Sequence, residues 1–266
     1  MTGDGDQVTM PFPGVVTLRP YTRRLMPTPP GAGVSILLPA YELVDQIADN
    51  IARTASAVAR VPGVEIIVCD DGSNDGTGDA ARFEADRHKN VSVIQHEPNC
   101  GKGAALLEAF KVSRGETVVF LDADLDLPPE QIPGLLDRFT RSGADVMVGA
   151  KQHAMAQGRY PGPRRFLSQV FGSVVALLFR LPVTETQTGL KVFNRPALVD
   201  TMPRLKIRRY SFDVELLARI HRAGFSIVET PVELSEGASG HGLSVGTLWE
   251  MGRDTFRIWW DSRRWQ

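Results

Sequence analysis

The sequence predicts an α/β fold with a largely parallel central sheet flanked by helices, on three observations. From Val34 onward, short apolar runs rich in Val and Ile alternate with longer stretches of helical periodicity. No internal repeat interrupts that alternation. Three of the apolar runs end in polar residues at their carboxyl ends, the side on which an open parallel sheet collects its ligands.

The elements follow in chain order. Residues 1–32 carry Pro11, Pro13, Pro20, Pro27, Pro29 and Pro30 among glycines and polar residues, which predicts a flexible or surface-wrapping extension. Strands are expected at Val34–Leu38, Glu65–Cys69, Val91–Ile94, Thr117–Leu121 and Asp145–Val148. Helices are expected between them at Val44–Ala59, Gly76–Arg87, Lys102–Val112 and Pro129–Arg141, the last opened by Pro128-Pro129. The main domain is drawn over 33–243, followed by a Trp- and Arg-rich amphipathic helix over 244–266.

Composition narrows the function. A chain of 266 residues, 42% hydrophobic and 23% charged, is long enough for a real core, and its net charge of −1 argues against a general nucleic-acid binder. No stretch reaches the roughly 20 apolar residues that span a bilayer, and Met1 to Gln7 is not a basic signal region. The two cysteines, Cys69 and Cys100, show no metal-binding spacing, so a cytoplasmic location is expected.

Asp122-Ala123-Asp124 closes the run Thr117–Leu121, and carboxylates at i and i+2 of an extended strand end share one side. That arrangement suits a hard divalent cation such as Mg²⁺ or Mn²⁺, with Asp126 a third ligand if the backbone stays extended through Leu125. Pro39-Ala40-Tyr41-Glu42 and Asp70-Asp71-Gly72-Ser73 end two other strands, so three polar clusters are expected on one crevice. The Gly-x-Gly-x-x-Gly turn of a nicotinamide enzyme is absent after the first strand. Gly101-Lys102-Gly103 lacks a P-loop frame, although a lysine at a helix start attracts a diphosphate.

Read in order, Val34–Tyr41, Asp70–Thr77, Asn99–Ala104 and Asp122–Asp124 resemble the inverting family 2 glycosyltransferases of the GT-A (Rossmann-like) nucleotide-diphospho-sugar transferase fold. Glu185–Lys191 and Tyr210–Leu217 resemble the branch that loads sugars onto polyprenyl phosphates, which includes dolichyl-phosphate β-glucosyltransferases and dolichol-phosphate mannose synthases. The resemblance implies donor contacts at Pro39, Ala40, Tyr41, Glu42, Asp70, Asp71, Lys102, Asp122 and Ala123, with Asp70 at the base. It implies cation ligands at Asp124 and Asp126, the latter standing where mannose synthases often have Gln. Asp122, Asp124, Asp213 and Gln187 are the implied catalytic set, and Glu215 is expected to be a structural partner. Lys151, Arg164 and Ser168 are implied to hold the acceptor phosphate, with Arg164 and Ser168 on one helix face at i, i+4.

A phosphate acceptor needs no general base, because its second pKa is about 6 and the dianion is already the nucleophile. A hydroxyl acceptor does need one, and Asp213 and Glu185 are the candidates. The expectation is therefore transfer of a hexose, glucose favoured and GDP-mannose second, from a nucleotide sugar to a polyprenyl phosphate at the cytoplasmic membrane face. A hydroxyl acceptor and a non-catalytic nucleotide-sugar-binding module stay open. The apolar run behind Ser168 is either a buried helix or a guide for the lipid through Phe171, Val174, Val175 and Leu178. All four tryptophans, Trp249, Trp259, Trp260 and Trp265, are interleaved with arginines at the end of the chain, which fits either peripheral membrane contact or docking on the domain. His241 sits in a glycine-rich loop that either closes over the diphosphate or stays solvated.

Overall fold

A computed structural model describes residues 17–21, 33–151, 162–209, 211–235 and 245–265, with side chains over 33–151, 171–209, 211–235 and 250–265. The strands are β1 (Thr17–Tyr21), β2 (Val34–Ala40), β3 (Val64–Asp70), β4 (Val91–Glu97), β5 (Thr117–Phe120), β6 (Val146–Ala150), β7 (Lys191–Asn194) and β8 (Ile227–Pro231). Among the described residues they form one sheet in the order β1-β4-β3-β2-β5-β7-β6-β8. Strands β4, β3, β2 and β5 are mutually parallel, as are β6 and β8, while β7 runs antiparallel to both β5 and β6.

Helices α1 (Ile47–Ala57), α2 (Thr77–Ala85), α3 (Lys102–Val112), α4 (Ile132–Ser142), α5 (Gly162–Phe179), α6 (Arg195–Thr201), α7 (Phe212–Arg222) and α8 (Val245–Ser262) cover the sheet. Alternation along the strands divides the core between two faces. Leu37, Ile67, Cys69, Val118 and Phe120 join one apolar cluster with Ala105, Ala109, Leu216 and Ile258. Ile36, Leu38, Ile66, Val68, Val119 and Leu121 join the other with Ile47, Ile51, Leu135 and Phe139.

Local chemistry sets the boundaries. In α1, Ile47, Ile51, Thr54 and Ala55 are buried at helical spacing. Helix α2 starts after Gly76 at φ 98°, where the Asp75 carboxylate accepts hydrogen bonds from the Thr77 N–H and hydroxyl. Pro133 lies in the first turn of α4, and Gly143 at φ 64° ends it. A 3₁₀ turn, Pro129–Gln131, precedes α4 where a single helix was expected.

At each terminus the described residues pack on the domain. Thr17–Tyr21, assigned to the flexible extension, adds an antiparallel edge strand to β4, because the extended conformation suits Pro-rich chain and Pro is tolerated at a sheet edge. The rest of residues 1–32 lies outside the described residues. The helix drawn as a separate segment over 244–266 is packed on the domain: Met251, Thr255 and Ile258 are buried, and Trp265 packs against the core with the Arg219 guanidinium 4.0 Å from its ring.

Helix α5 is not buried all round. Gly172 and Val175 are inside, whereas Val174 and Leu178 are exposed and Leu177 is 81% exposed. One apolar face serves the core, and a second remains on the surface.

Candidate active site

Sheet register explains why the site lies where it does. Ala40 pairs with Asp70 and Leu37 with Phe120, so the chain leaves β2, β3 and β5 at one edge with Tyr41, Asp71 and Asp122 just beyond. Strand β5 ends at Phe120, and the chain then turns instead of continuing extended: the Leu125 N–H donates to the Asp122 carbonyl, and Leu125 takes φ 51°. The condition for three evenly spaced carboxylates is therefore not met. Among the described residues no group of three or more His, Cys, Asp or Glu is placed to hold a metal.

Sidedness survives the turn. Leu121, Ala123, Leu125 and Leu127 are buried, while Asp122, Asp124 and Asp126 between them stay partly open. Three contacts from elsewhere in the fold pin the segment. Asn50 Nδ2 of α1 donates to the Ala123 carbonyl at 2.8 Å, the Ser235 N–H donates to Asp126 O at 2.9 Å, and the Ser235 hydroxyl donates to Leu125 O.

Helix α3 aims its first residue at this turn. Lys102 Nζ lies 2.6 Å from Asp122 Oδ1 and 3.9 Å from Asp213 Oδ2 in the first turn of α7. Asp213 Oδ1 is 2.7 Å from Lys191 Nζ, and Lys191, at the start of β7, is 1% exposed. The Lys191 ammonium also donates to the Thr188 carbonyl. Lysine and aspartate thus alternate through Lys191, Asp213, Lys102 and Asp122.

Charge states follow from this chain. Burial opposes the charge on Lys102, but Asp122 and Asp213 outweigh it and raise its pKa above the ordinary lysine value. Burial also opposes the Asp122 carboxylate, and Lys102, assisted by Lys191 and Lys151, outweighs it and holds that pKa below the usual range. Lys191 is lowered by its burial, with Asp213 resisting and Lys102 adding repulsion. Asp124 is raised, first by burial and then by the like charge of Asp122, with Asp126 adding to it. Its Oδ1 accepts from the Asp126 N–H at 3.2 Å.

Beside this centre is a cleft of about 670 Å³ lined by Tyr41, Gly72 and Asn74 on one side and Gln95 to Asn99 on the other. Pro39 and Ala40 end β2 just beneath Tyr41, and the Glu42 N–H donates to Ser73 Oγ. Asp70 and Asp71 do not line the cleft. Asp70 is fully buried; its Oδ1 accepts from the Ser73 N–H and hydroxyl, and its Oδ2 has no hydrogen-bond partner.

Asp71 is a hub. Its Oδ1 and Oδ2 accept from the Cys100 and Gly101 N–H groups at 2.9 and 2.8 Å, and buried His96 places Nε2 3.2 Å from Oδ1. Burial raises its pKa against those two donors and His96. Asp71 therefore holds the loop that launches α3 and Lys102. At φ 98°, Gly101 lies so close to the Arg208 carbonyl that a Cβ would approach it to 2.6 Å.

Partly open Lys151, just past the end of β6, reaches into the same electrostatic environment, stabilising the charged forms of both Asp122 and Glu185. Glu185 is raised by burial and by Glu229, with Lys151 and Lys191 opposing, and it accepts a hydrogen bond from the Lys151 N–H. Gln187 lies on the same segment, half-buried. Arg164 and Ser168 belong to α5, but their side chains and all of His241 lie outside the described residues. Glu215 is structural, as expected: its carboxylate accepts from the Lys206 and Ile207 N–H groups and pairs with Arg219 at 2.9 Å.

Sequence reasoning passed over Lys191, His96 and Arg209. A lysine inside Leu190-Lys191-Val192-Phe193 was the available signal for the first, since a charge in an apolar run needs a buried partner. Arg209 sits close enough to act electrostatically on both Tyr41 and Asp71, which only the folded chain reveals.

The parallel sheet, the carboxylate turn and the adjoining cleft define a nucleotide-sugar transferase architecture, and the chain belongs to glycosyl transferase family 2, whose model matches residues 35–200. Polyprenol monophosphomannose synthase of Mycolicibacterium smegmatis is 30% identical over 84% of this chain and 82% of that protein. Glycosyltransferase AglD of Haloferax volcanii is 28% identical over 91% of this chain but only 39% of its own length. A dolichyl-phosphate beta-glucosyltransferase of Trichomonas vaginalis, ALG5C, is 29% identical over 76% of this chain and 64% of that one. This chain thus spans less than two thirds of those last two relatives. Glucosyl-3-phosphoglycerate synthase from Mycobacterium tuberculosis, solved with Mn²⁺, uridine diphosphate and phosphoglyceric acid, shares the GT-A fold at TM-score 0.64 and 21% identity, over 88% of this chain and 78% of that one.

Proposed function

We propose that the protein is an inverting glycosyltransferase that moves a hexose from a nucleoside-diphosphate sugar to a polyprenyl phosphate at the cytoplasmic face of a membrane. The observation that carries the choice of acceptor is the state of Asp213. One of its oxygens is taken by Lys191 and the other faces Lys102, so it is committed to ion pairs and is poorly suited to remove a hydroxyl proton. A phosphate dianion needs cations around it and no base, and Lys151 supplies one beside Asp122 and Glu185.

A divalent cation, Mg²⁺ or Mn²⁺, would draw on the carboxylates of the turn after β5 together with oxygens of the donor diphosphate, since the described residues alone offer no group of three ligands. An ammonium already sits on Asp122 as a stand-in cation, and the hard carboxylates of Asp124 and Asp126 follow on the same side. Asp124, with Asp126, would hold the metal. When bound, it offsets the charge that gathers on the departing diphosphate. Lys102 adds a positive charge at the helix start, Tyr41 and the Gln95–Asn99 wall enclose the nucleoside, and Gln187 orients the sugar, with Asp213 holding Lys191 and facing Lys102 beside it.

The lipid would reach Lys151, Arg164 and Ser168 over α5. The exposed Val174, Leu177 and Leu178 of that helix, and Phe256 and Trp260 of neighbouring α8 among Arg253, Arg257 and Arg263, suit a peripheral membrane face. Among the described residues no helix is long and apolar enough to cross a membrane.

The test is incubation of the protein with UDP-glucose or GDP-mannose, Mn²⁺ and a polyprenyl phosphate, followed by mass analysis of the lipid. A hexosyl-phospholipid is expected, with glucose the first donor to try. Transfer to a sugar hydroxyl in its place, with the acidic limb of the pH–rate profile lost in Glu185→Gln, would establish the hydroxyl-acceptor alternative. Donor binding without turnover on any acceptor would reduce the protein to a nucleotide-sugar-binding module.

A further inference from the structure

The alternating chain of charges has an asymmetry that the reaction alone does not require. Lys191 and Asp213 are buried and close at 2.7 Å, and Lys102 and Asp122 are about one-third exposed and close at 2.6 Å. The remaining approach, Lys102 to Asp213 Oδ2, is the long one at 3.9 Å. Two lysines and two aspartates cancel within this chain of charges, which leaves Asp124 and Asp126 unmatched by it, while Lys151 acts on Asp122 from just past the end of β6. A divalent cation arriving there meets a carboxylate, Asp122, that an ammonium already holds.

We propose that Asp213 is a second berth for Lys102: the ammonium sits on Asp122 while the cation is absent and moves to Asp213 Oδ2 when the cation arrives. This inference rests on the divalent-cation reading given above. A lysine suits the move, because its ammonium is a compact point charge on a flexible four-carbon stem. Like charges repel over this range, so a cation beside Asp122 and Asp124 pushes Lys102 away. Lys191 is the positioning residue: it occupies Asp213 Oδ1, fixes the carboxylate, and leaves Oδ2 directed at Lys102. Without that berth the displaced ammonium would have no partner in a partly buried site, and cation binding would carry that cost.

Mn²⁺ binding to the full-length protein, read from the EPR signal of free Mn²⁺, tests the berth without relying on turnover. Lys102→Met frees Asp122, and the variant is expected to bind Mn²⁺ alone about tenfold more tightly than the unmodified protein. Lys191→Met/Asp213→Asn preserves net charge and leaves no buried ion unpaired, yet removes the berth. It is expected to bind Mn²⁺ about tenfold more weakly, with melting curves checking its fold. Unchanged or weaker binding in Lys102→Met overturns the proposal, and that variant decides alone if the double variant does not fold. Unchanged binding in a folded double variant overturns it equally. Absence of Mn²⁺ binding in every protein, with or without UDP, would instead sink the divalent-cation reading, a result distinguishable from Mn²⁺ binding that ignores Lys102.

Discussion

Gly189 packs against the Asp122 carboxylate so closely that a Cβ at that position would overlap its Oδ2 and Cγ atoms and crowd its Cβ. The glycine leaves the carboxylate room to meet Lys102. Gly189→Ala is expected to displace Asp122, lower turnover by at least about 100-fold, and destabilise the fold by about 1–3 kcal/mol through overpacking. A transfer assay alongside a thermal melt measures both, and near-normal turnover would show that Asp122 is not held there for catalysis.

Asp124→Asn keeps size and hydrogen-bonding capacity but removes a charge from the one-sided carboxylate turn. Turnover at saturating Mn²⁺ is expected to fall by about 100-fold or more, with the melting temperature unchanged or raised, because burial beside Asp122 and Asp126 already disfavours this carboxylate. A Mn²⁺ titration of activity checks it. Full turnover in the presence of a chelator would remove the metal from the mechanism.

Glu185 gives a pH signature. Its folded pKa lies above the ordinary carboxylate value, chiefly through burial, so the folded state holds its proton more tightly than the unfolded one. Stability from this group is complete below about pH 4, falls as pH rises through the raised pKa, and stays lower at neutrality. Glu185→Gln is therefore expected to melt higher than the unmodified protein at pH 7 and to lose that advantage near pH 4. Denaturation curves at the two pH values decide the sign.

Helix α8 has two faces with separable effects. Ile258→Ala, on the buried face, is expected to cost about 2–5 kcal/mol and leave vesicle binding per folded molecule unchanged. Phe256→Ala/Trp260→Ala, on the exposed face, is expected to leave the melt within about 1 kcal/mol while weakening flotation with anionic vesicles several-fold. Equal flotation of both variants would argue against a bilayer-facing role.

The sequence carried the parts of the fold that are periodic and local. Helix α3 runs over Lys102–Val112 as expected, and the strands that end at Ala40, Asp70 and Phe120 bring their polar clusters to one edge. Strand β7 was not legible, since four residues headed by a lysine look too polar for an interior strand until Asp213, 22 positions away, neutralises that lysine. Asp71 illustrates the same limit. Its carboxylate accepts from the Cys100 and Gly101 N–H groups, a pairing between segments about 30 residues apart that no local pattern announces. Leu125 escaped as well, because a branched residue at positive φ is chosen by the surrounding packing.

The reversal of β7 ties charge to topology. A parallel strand reaches the ligand-binding edge with its last residue, whereas β7 reaches it with its first, and that residue is Lys191, paired with Phe120 at the end of β5. Shifting the strand by one position would turn Lys191 to the opposite face of the sheet and offer Leu190 or Val192 to Asp213. Strand alignment, set far down the ladder by Asn194 against Thr117, thus decides whether a buried aspartate has its counter-ion. A slip too small to alter the fold's outline would still leave the site with the wrong charge.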